Sequence, residues 1–232
     1  MILIVASCVD EVAQRLLAEL PQDSAQLLTP RDLSLPGWEV NSGSPVDSVY
    51  IAGGRKLESR AISGVVCLLP CIFESELVHI EPVDRAYVAS EMTAFLIFWL
   101  SSLTCPKLNP PTPGCMSGPY WPAERWLIEA ASAGLPVKTL GRSTRCNSGP
   151  CQVPEESTTV TVAGQCCLGN DDPELGRHAR SLASAVNVDL LEVSFVRDNA
   201  SFWFSGADPF PELSQPGTTD AIWNFFTRGS LS

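Results

Sequence analysis

Nine cysteines and two histidines are the residues that could bind zinc or form a cysteine–histidine nucleophile pair. The cysteines are Cys8, Cys67, Cys71, Cys105, Cys115, Cys146, Cys151, Cys166 and Cys167. A zinc site needs ligands paired at short spacings, and the sequence contains no Cys-x-x-Cys pair. Neither His79 nor His178 stands in a recognisable triad context. The sequence therefore favours neither a metal centre nor a serine or cysteine nucleophile, although only the fold decides which groups lie close together.

The first strand-to-helix turn has none of the glycine-rich chemistry that cradles phosphates. Ile2–Ala6 is a continuous apolar run typical of a buried parallel strand. Asp10 is placed to cap a helix whose apolar residues keep helical spacing as far as Pro21. The turn between them, Ser7 to Asp10, has neither a G-x-G-x-x-G nor a Walker pattern, so we expect it to be structural.

The remaining pattern predicts an open α/β sheet followed by an α+β part. Extended segments are expected at Gln26–Leu28, Trp38–Val40, Ser48–Ala52 and Val65–Leu69, with a long helix from about Asp84 to Leu103. Farther along, we predict one strand over Thr158–Leu168, a helix from Asp172 or Pro173 to Val186, a hairpin joining Leu190–Val196 to Ser201–Phe204 around Asp198-Asn199, and a last helix over Thr219–Arg228.

Composition excludes several classes of protein. The chain of 232 residues carries a net charge of −11 and has a pI near 4.6, so a nucleic-acid partner is not expected. The apolar run Ala94–Leu103 is too short to span a membrane. The N-terminus lacks the basic region of a signal peptide, and we therefore predict a cytoplasmic protein without membrane attachment.

The stretch Asn109–Val137 reads as a domain boundary. It begins with a proline- and glycine-rich loop, continues as a short helix with Pro122 near its first turn, and becomes extended after Gly134. Together with the helix before it, this stretch resembles the end of the N-terminal domain in ATP-grasp enzymes, above all the peptide-modifying and RimK-like ligases. The matching features are a helix bearing Glu91, an N-x-P loop at Asn109, and the helix end from Ala130 to Val137.

The resemblance implies a fold class and a division into domains. We expect an α/β chain with an N-terminal open, mostly parallel sheet, a pre-ATP-grasp-like domain over residues 1–136. A reduced ATP-grasp-like α+β part, with a lid remnant and a C-terminal subdomain, is expected over residues 137–232. Fewer residues remain there than the lid and C-terminal subdomain of a complete enzyme use, so the resemblance is to a degenerate or truncated member.

The resemblance also implies a chemistry and the groups that it needs. ATP-grasp ligases phosphorylate a carboxylate and let an amine attack the acyl phosphate, with lysine or arginine on the phosphates and carboxylate or asparagine oxygens on Mg²⁺. This chain has three lysines, Lys56, Lys107 and Lys138, and it has Gly206 and Asp208 where the family carries Glu-x-Asn. The candidate ligand-binding residues are Glu91, Asn109, Lys138, Arg142, Glu192 and Asp208, and no catalytic residue or metal ligand is assigned.

Two functions follow from the resemblance. In the first, the chain is a catalytically degenerate binding or accessory subunit in a peptide-tailoring or small-metabolite pathway, with a protein partner or peptide substrate and no cofactor. In the second, it is a minimal ATP-dependent carboxylate–amine ligase with a shortened lid, which would require Mg·ATP. The aromatic groups Tyr120, Trp121 and Trp126 and Phe202–Phe204 either line a binding surface or pack in the core.

We predict that the cysteines are reduced and mostly buried, because several stand in apolar runs and no export signal precedes them. A thiol titration under denaturing, non-reducing conditions should recover nearly all nine thiols. Recovery of about three or fewer would overturn the cytoplasmic assignment, because it would mean that disulfides form in the mature protein.

Overall fold

The structure is a computed structural model that describes residues 1–138, 157–198 and 201–228. The strands are β1 (Ile2–Val5), β2 (Ala25–Leu28), β3 (Val49–Ala52), β4 (Arg55–Glu58), β5 (Gly64–Cys67), β6 (Lys107–Leu108), β7 (Ser157–Ala163), β8 (Cys166–Leu168), β9 (Leu190–Asp198) and β10 (Ser201–Asp208). The α-helices are α1 (Glu11–Glu19), α2 (Arg85–Ser102), α3 (Ala123–Ser132), α4 (Pro173–Ala185) and α5 (Thr218–Arg228).

Two compact units divide the chain. The first combines Met1–Tyr120 with Glu212–Ser232, and the second is Trp121–Pro211. The last segment of the chain therefore belongs to the same unit as the first strand. The division at residue 136 rests on the family resemblance and not on contacts within the fold, so it stays a prediction.

A four-stranded parallel sheet of order β2-β1-β5-β6 is the centre of the first unit. β1 and β5 are its inner strands, and every residue in both is buried. That burial on two faces explains why β1 reads as a continuous apolar run rather than an alternating one. The predicted parallel sheet is confirmed, and β1 is an inner strand rather than an edge.

The helix that follows β1 begins as its capping residue predicts. The Asp10 carboxylate accepts a hydrogen bond of 3.0 Å from the backbone N–H of Ala13, and α1 ends before Pro21.

Strands β3 and β4 form a β-hairpin that the sequence did not predict, because only the first of the two strands was expected. Gly53 and Gly54 both have positive φ, as a tight two-residue hairpin turn requires.

Within the first unit, the last helix packs on the parallel sheet through a contact that needs a glycine. Phe226 of α5 is buried, and a Cβ added to Gly64 of β5 would lie 2.2 Å from its ring. Such an approach is closer than any real carbon contact, so the sheet accepts α5 only because residue 64 has no side chain.

The second unit has an antiparallel sheet of order β10-β9-β7-β8. Its core lies on one face of the sheet, where α3 and α4 pack. Trp126 and Ala130 come from α3, Leu175 and Leu182 from α4, and Phe195 and Phe204 from the strands. The predicted hairpin of β9 and β10 is confirmed, although its turn residue Asn199 lies outside the described residues.

The prediction of one strand over Thr158–Leu168 is wrong. The segment forms two strands, β7 and β8, which pair antiparallel with Ala163 opposite Cys166. Gly164 takes a positive φ of 58° and turns the chain. The error arose because both strands are apolar and a single glycine is weak evidence for a turn.

Seven of the nine cysteines lie in the described residues, and all seven are free thiols. Cys67 and Cys115 are buried, Cys8 is exposed, and the others are partly buried. Burial raises the pKa of the Cys67 thiol to about 11, which keeps it protonated and unreactive at neutral pH. Within the described part of the chain, no helix is long and apolar enough to cross a membrane.

We expect Gly64→Ala to lower the free energy of unfolding by about 1–3 kcal/mol, the usual cost of forcing extra carbon into a packed core. Urea denaturation of the purified protein measures this change. Gly114→Ala is the matched control, because a Cβ there meets no atom within 4 Å of the described structure. Combining Gly64→Ala with Phe226→Leu should recover part of the loss, and strictly additive effects of the two substitutions would contradict a direct contact.

Candidate functional site

The sheet of the second unit presents one face to its helices and a second face away from them. Along β9, Leu191, Val193 and Phe195 point into the core, so the alternate residues Glu192 and Ser194 point to the opposite face. We call this opposite face the carboxylate face. It comprises Thr159 and Thr161 of β7, Glu192, Ser194 and Val196 of β9, and Trp203, Gly206 and Asp208 of β10.

Two of the predicted site residues, Glu192 and Asp208, meet on the carboxylate face. They stand directly opposite each other in the antiparallel ladder of β9 and β10. Side chains in such positions have Cβ atoms about 4.5–5.5 Å apart. Their separation in sequence gave no sign of this pairing, which results from a β-bulge between Phe204 and Gly206.

The Asp208 carboxylate is held in place by its own backbone. Its Oδ1 accepts a hydrogen bond of 2.8 Å from the N–H of Phe210, two residues farther along. This local bond fixes the start of the Pro209–Pro211 segment, and within the described residues the second carboxylate oxygen has no hydrogen-bond partner.

Thr161 extends the row of oxygen atoms on the other side of Glu192, with which it is paired in the ladder of β7 and β9. The residue is only 1% exposed, and its hydroxyl makes no hydrogen bond within the described structure. A buried hydroxyl without a partner costs about 1–3 kcal/mol. Thr161 therefore supplies an unused polar group beside the two carboxylates.

An aromatic ring and a lysine lie farther along the same face. Trp203 is opposite Val196, and the Lys138 ammonium lies 5.9 Å from the centroid of the Trp203 ring. Val196 is four residues from Glu192 on β9, which corresponds to about 13 Å along a strand. A cation beside an aromatic ring thus occupies one end of the carboxylate face, and the carboxylate pair occupies the other.

The remaining predicted site residues lie elsewhere. Asn109 is buried in the first unit, where its Nδ2 donates to the carbonyl of Ser117 at 3.4 Å and its side chain packs against Gly118. Glu91 is exposed on α2 of the same unit. Arg142 lies outside the described residues. The site assignments of all six predicted residues remain predictions.

Of the aromatic residues predicted either to line a binding surface or to pack in the core, some do each. Phe204 and Trp126 are buried in the core, and Phe202 packs partly against it. Trp121 stacks near Trp126, with ring centroids 4.9 Å apart. Trp203 alone of its triplet points to the carboxylate face, because successive side chains in a strand alternate.

Sequence reasoning missed Thr161 as a member of the site. The signal was a threonine between Val160 and Val162, two residues that both enter the core. A polar residue at the alternate position of such a strand lies on the other face. What the pattern could not provide was the identity of the residues beside it, which depends on strand order.

Comparison with solved structures assigns the architecture. Macrocyclase MdnC of Microcystis aeruginosa, bound with precursor peptide MdnA, superposes with a TM-score of 0.72 over 98% of this chain and 99% of the other, at 13% sequence identity. The fold is that of the ATP-grasp ligases.

Two further ATP-grasp structures agree. A RiPP-associated ATP-grasp ligase of Chryseobacterium gregarium, in complex with ADP and with a leader and core peptide, gives a TM-score of 0.65 at 10% identity, covering 98% of this chain and 96% of that one. A RimK domain ATP-grasp protein of Sphaerobacter thermophilus gives 0.52 at 13% identity, covering 97% and 99%. No protein-family model and no curated protein sequence matches the chain. The resemblance seen in the sequence is thus confirmed for the fold.

The carboxylate face has a donor set that fits Mg²⁺. That ion is commonly bound through one or two carboxylates together with substrate phosphates, and Glu192 and Asp208 would be those carboxylates. The Thr161 hydroxyl beside them is fully buried in this structure, so it is not counted among these ligands. No group of three histidine, cysteine, aspartate or glutamate side chains suited to a metal occurs in the described ranges, so such an ion would depend on ligand oxygens.

We expect Thr161→Val to raise the free energy of unfolding of the ligand-free protein by about 1 kcal/mol, because it removes a buried hydroxyl without a partner. Thr159→Val is the control, since Thr159 lies on the same strand and face but is less buried. Thermal and urea denaturation in the presence of a chelator measure both changes. A loss of stability in Thr161→Val would show that the hydroxyl is hydrogen-bonded in the resting protein.

Proposed function

We propose that this chain is an ATP-grasp-like binding protein, an accessory subunit in peptide tailoring that does not ligate carboxylate to amine by itself. The ligand class comes from its structural neighbours: MdnC is bound with a precursor peptide, and the Chryseobacterium ligase with a leader and core peptide. The loss of catalysis is inferred from this chain's own residues.

Gly206 carries the proposal. On the family resemblance it stands where a glutamate ligand is expected, and it lies opposite Ser194 on the carboxylate face, next to the Glu192–Asp208 pair. A Cβ added to Gly206 meets no atom within 4 Å of the described structure. Packing therefore does not require a glycine here, and the missing carboxylate is a change in chemistry rather than a steric necessity.

The positions of the lysines support the same conclusion. Lys56 pairs with Glu39 at 2.7 Å on the surface of the first unit. Lys107 donates to the carbonyls of Leu103 and Cys105, where it caps the last turn of α2, and burial lowers its pKa. Both lysines thus have structural partners in the first unit, and Lys138 beside Trp203 is the lysine on the carboxylate face.

Charge explains why such a face would bind without catalysing phosphoryl transfer. The second unit, Trp121–Pro211, carries 11 acidic and 7 basic side chains, a difference of −4. A nucleotide triphosphate adds several negative charges, and each close unscreened pair of like charges costs about 1 kcal/mol or more. Without several cations on the phosphates, the transition state for transfer is not stabilised.

A minimal ligase is the second candidate, and the Glu192–Asp208 pair is the observation in its favour. Two carboxylates opposite each other are the kind of donor pair that holds Mg²⁺ on a nucleotide. Under this alternative, Glu192, which is paired with Asp208, takes the place of the glutamate that is missing at Gly206. The protein would then turn over ATP when its peptide substrate is present.

Calorimetry with Mg·ATP, run beside a phosphate-release assay, separates the two functions. We expect no phosphate release by the unmodified protein, because among the residues that the structure describes its carboxylate face lacks both a third carboxylate and a phosphate cradle. Gly206→Glu should fold normally and bind Mg²⁺ at least tenfold more tightly, since a side chain fits there and adds a ligand.

Asp208→Ala is the control for the site itself. Micromolar binding of Mg·ATP together with turnover that is lost in Asp208→Ala would refute the accessory function and establish the ligase. Turnover that is unchanged in Asp208→Ala would point to a contaminating ATPase, and the measurement would be repeated on protein purified by a second route.

A further inference from the structure

A groove on the helical side of the second unit concentrates positive charge in an acidic segment. It has a volume of about 630 Å³, within the usual range for ligand sites, and lies between the β7–β8 turn, α4 and the connection from α4 to β9. Between Ser157 and Pro211 the sequence has three lysines or arginines, Arg177, Arg180 and Arg197. Arg177 and Arg180 both line this groove.

The positive charge of Arg180 is not neutralised by its partner. Its guanidinium donates to the Cys167 sulfur at 3.1 Å, and the Cys167 thiol donates in turn to the carbonyl of Gly176. Burial raises the pKa of Cys167, although the neighbouring Arg180 acts in the opposite direction. The sulfur is therefore a neutral acceptor that orients the guanidinium, and the other N–H groups of Arg180 have no hydrogen-bond partner among the described residues.

Arg177 has an acidic neighbour that is easily exchanged. Its guanidinium lies 3.4 Å from Glu174, one turn away on α4, and the two side chains are 64% and 68% exposed. Exposed pairs of this kind contribute little to stability. A carboxylate from a ligand can thus replace Glu174 at little cost, and because Arg177 and Arg180 are three residues apart on α4 they project from neighbouring positions.

The other polar residues of the groove are three neutral side chains and one carboxyl group, and they restrict the kind of anion that can bind. Gln165, Ser184 and Asn187 line it with hydrogen-bonding side chains. Asp189 also lines it, and burial raises the pKa of that carboxyl. One acidic side chain among two guanidiniums favours a ligand with dispersed negative charge and polar backbone groups over a compact multivalent anion such as phosphate.

We propose that this groove binds an acidic peptide segment, with Arg177 and Arg180 holding its carboxylates. The guanidinium fork matches a carboxylate in two parallel hydrogen bonds, and the amide and hydroxyl groups suit a peptide backbone. The site lies on the opposite side of the sheet from the carboxylate face, so it does not depend on the proposed function. It would recruit a peptide or protein tail by charge.

The test is fluorescence anisotropy with a labelled hexaglutamate peptide and a hexaglutamine peptide of equal length, without nucleotide. We expect hexaglutamate to bind, hexaglutamine to bind at least tenfold more weakly, and the affinity for hexaglutamate to fall as salt is raised. The double substitution Arg177→Gln, Arg180→Gln should weaken hexaglutamate binding at least tenfold. Lysine at both positions should weaken it less, because the charge remains but the bidentate geometry does not.

Arg125→Gln is the matched control, because Arg125 lies in the same unit but stacks 4.0 Å over the Trp121 ring. Its binding should equal that of the unmodified protein, and circular dichroism confirms that each variant is folded. Equal binding of hexaglutamine, an equal loss in Arg125→Gln, or no loss in the double variant would overturn the proposal. Displacement of the peptide by inorganic phosphate at equal concentration would also overturn it, because the site would then be a phosphate site.

The result of the peptide-binding test can be distinguished from the result of the ATP assay. Backbone and side-chain amide signals of Gln165 and Asn187 report on the groove in an NMR titration, and both lie on the helical side of the unit. Shifts confined to residues of the carboxylate face would assign the peptide to that face and reject the groove. A protein that hydrolyses ATP would refute the accessory function and leave the groove result unchanged.

Discussion

One extra residue in β10 determines what the sheet of the second unit presents on each face. Phe204 is opposite Phe195 in the core, but the next paired residue is Gly206, so Ser205 is left out of the ladder. A regular ladder would bring Asp208 opposite Leu191, on the core face. A carboxylate buried there without a partner would cost several kcal/mol. The bulge shifts the register by one residue and thereby moves Asp208 to the carboxylate face.

The position of Phe204 is what makes the bulge stable. Its N–H donates to the Pro136 carbonyl at 2.8 Å, Val137 forms a parallel bridge with it, and its ring is buried among the side chains of α3 and α4. The chain is thus fixed on the core side just before the irregularity. Beyond it, Ala207 returns to the core face opposite Val193, as a small residue that the packed helices accept. The segment from Phe204 to Gly206 therefore determines both how β10 packs in the core and where its carboxylate lies.

Most helices and strands of this fold can be predicted from the sequence, whereas the contacts between distant segments cannot. The apolar run of β1, the cap at Asp10 and the antiparallel pairing of β9 with β10 are local signals, and the structure has all three. The packing of Phe226 on Gly64 joins residues at opposite ends of the chain, and no local pattern encodes it. The pairing of Glu192 with Asp208 is invisible for a related reason: alternation gives the face of each residue, but a bulge reverses the alternation beyond it.

The carboxylate pair and the two arginines of the groove lie on opposite sides of this sheet. Arg177 and Arg180 are on α4, which packs on the core face, while Glu192 and Asp208 point the other way. A side chain cannot move from one face to the other without a change of register that would also turn core residues outward. Glu192 and Asp208 therefore stay on their face of the sheet as long as the core packing of β9 and β10 is kept. If both proposals hold, an acidic peptide and a divalent cation would accordingly bind on opposite sides of the same sheet.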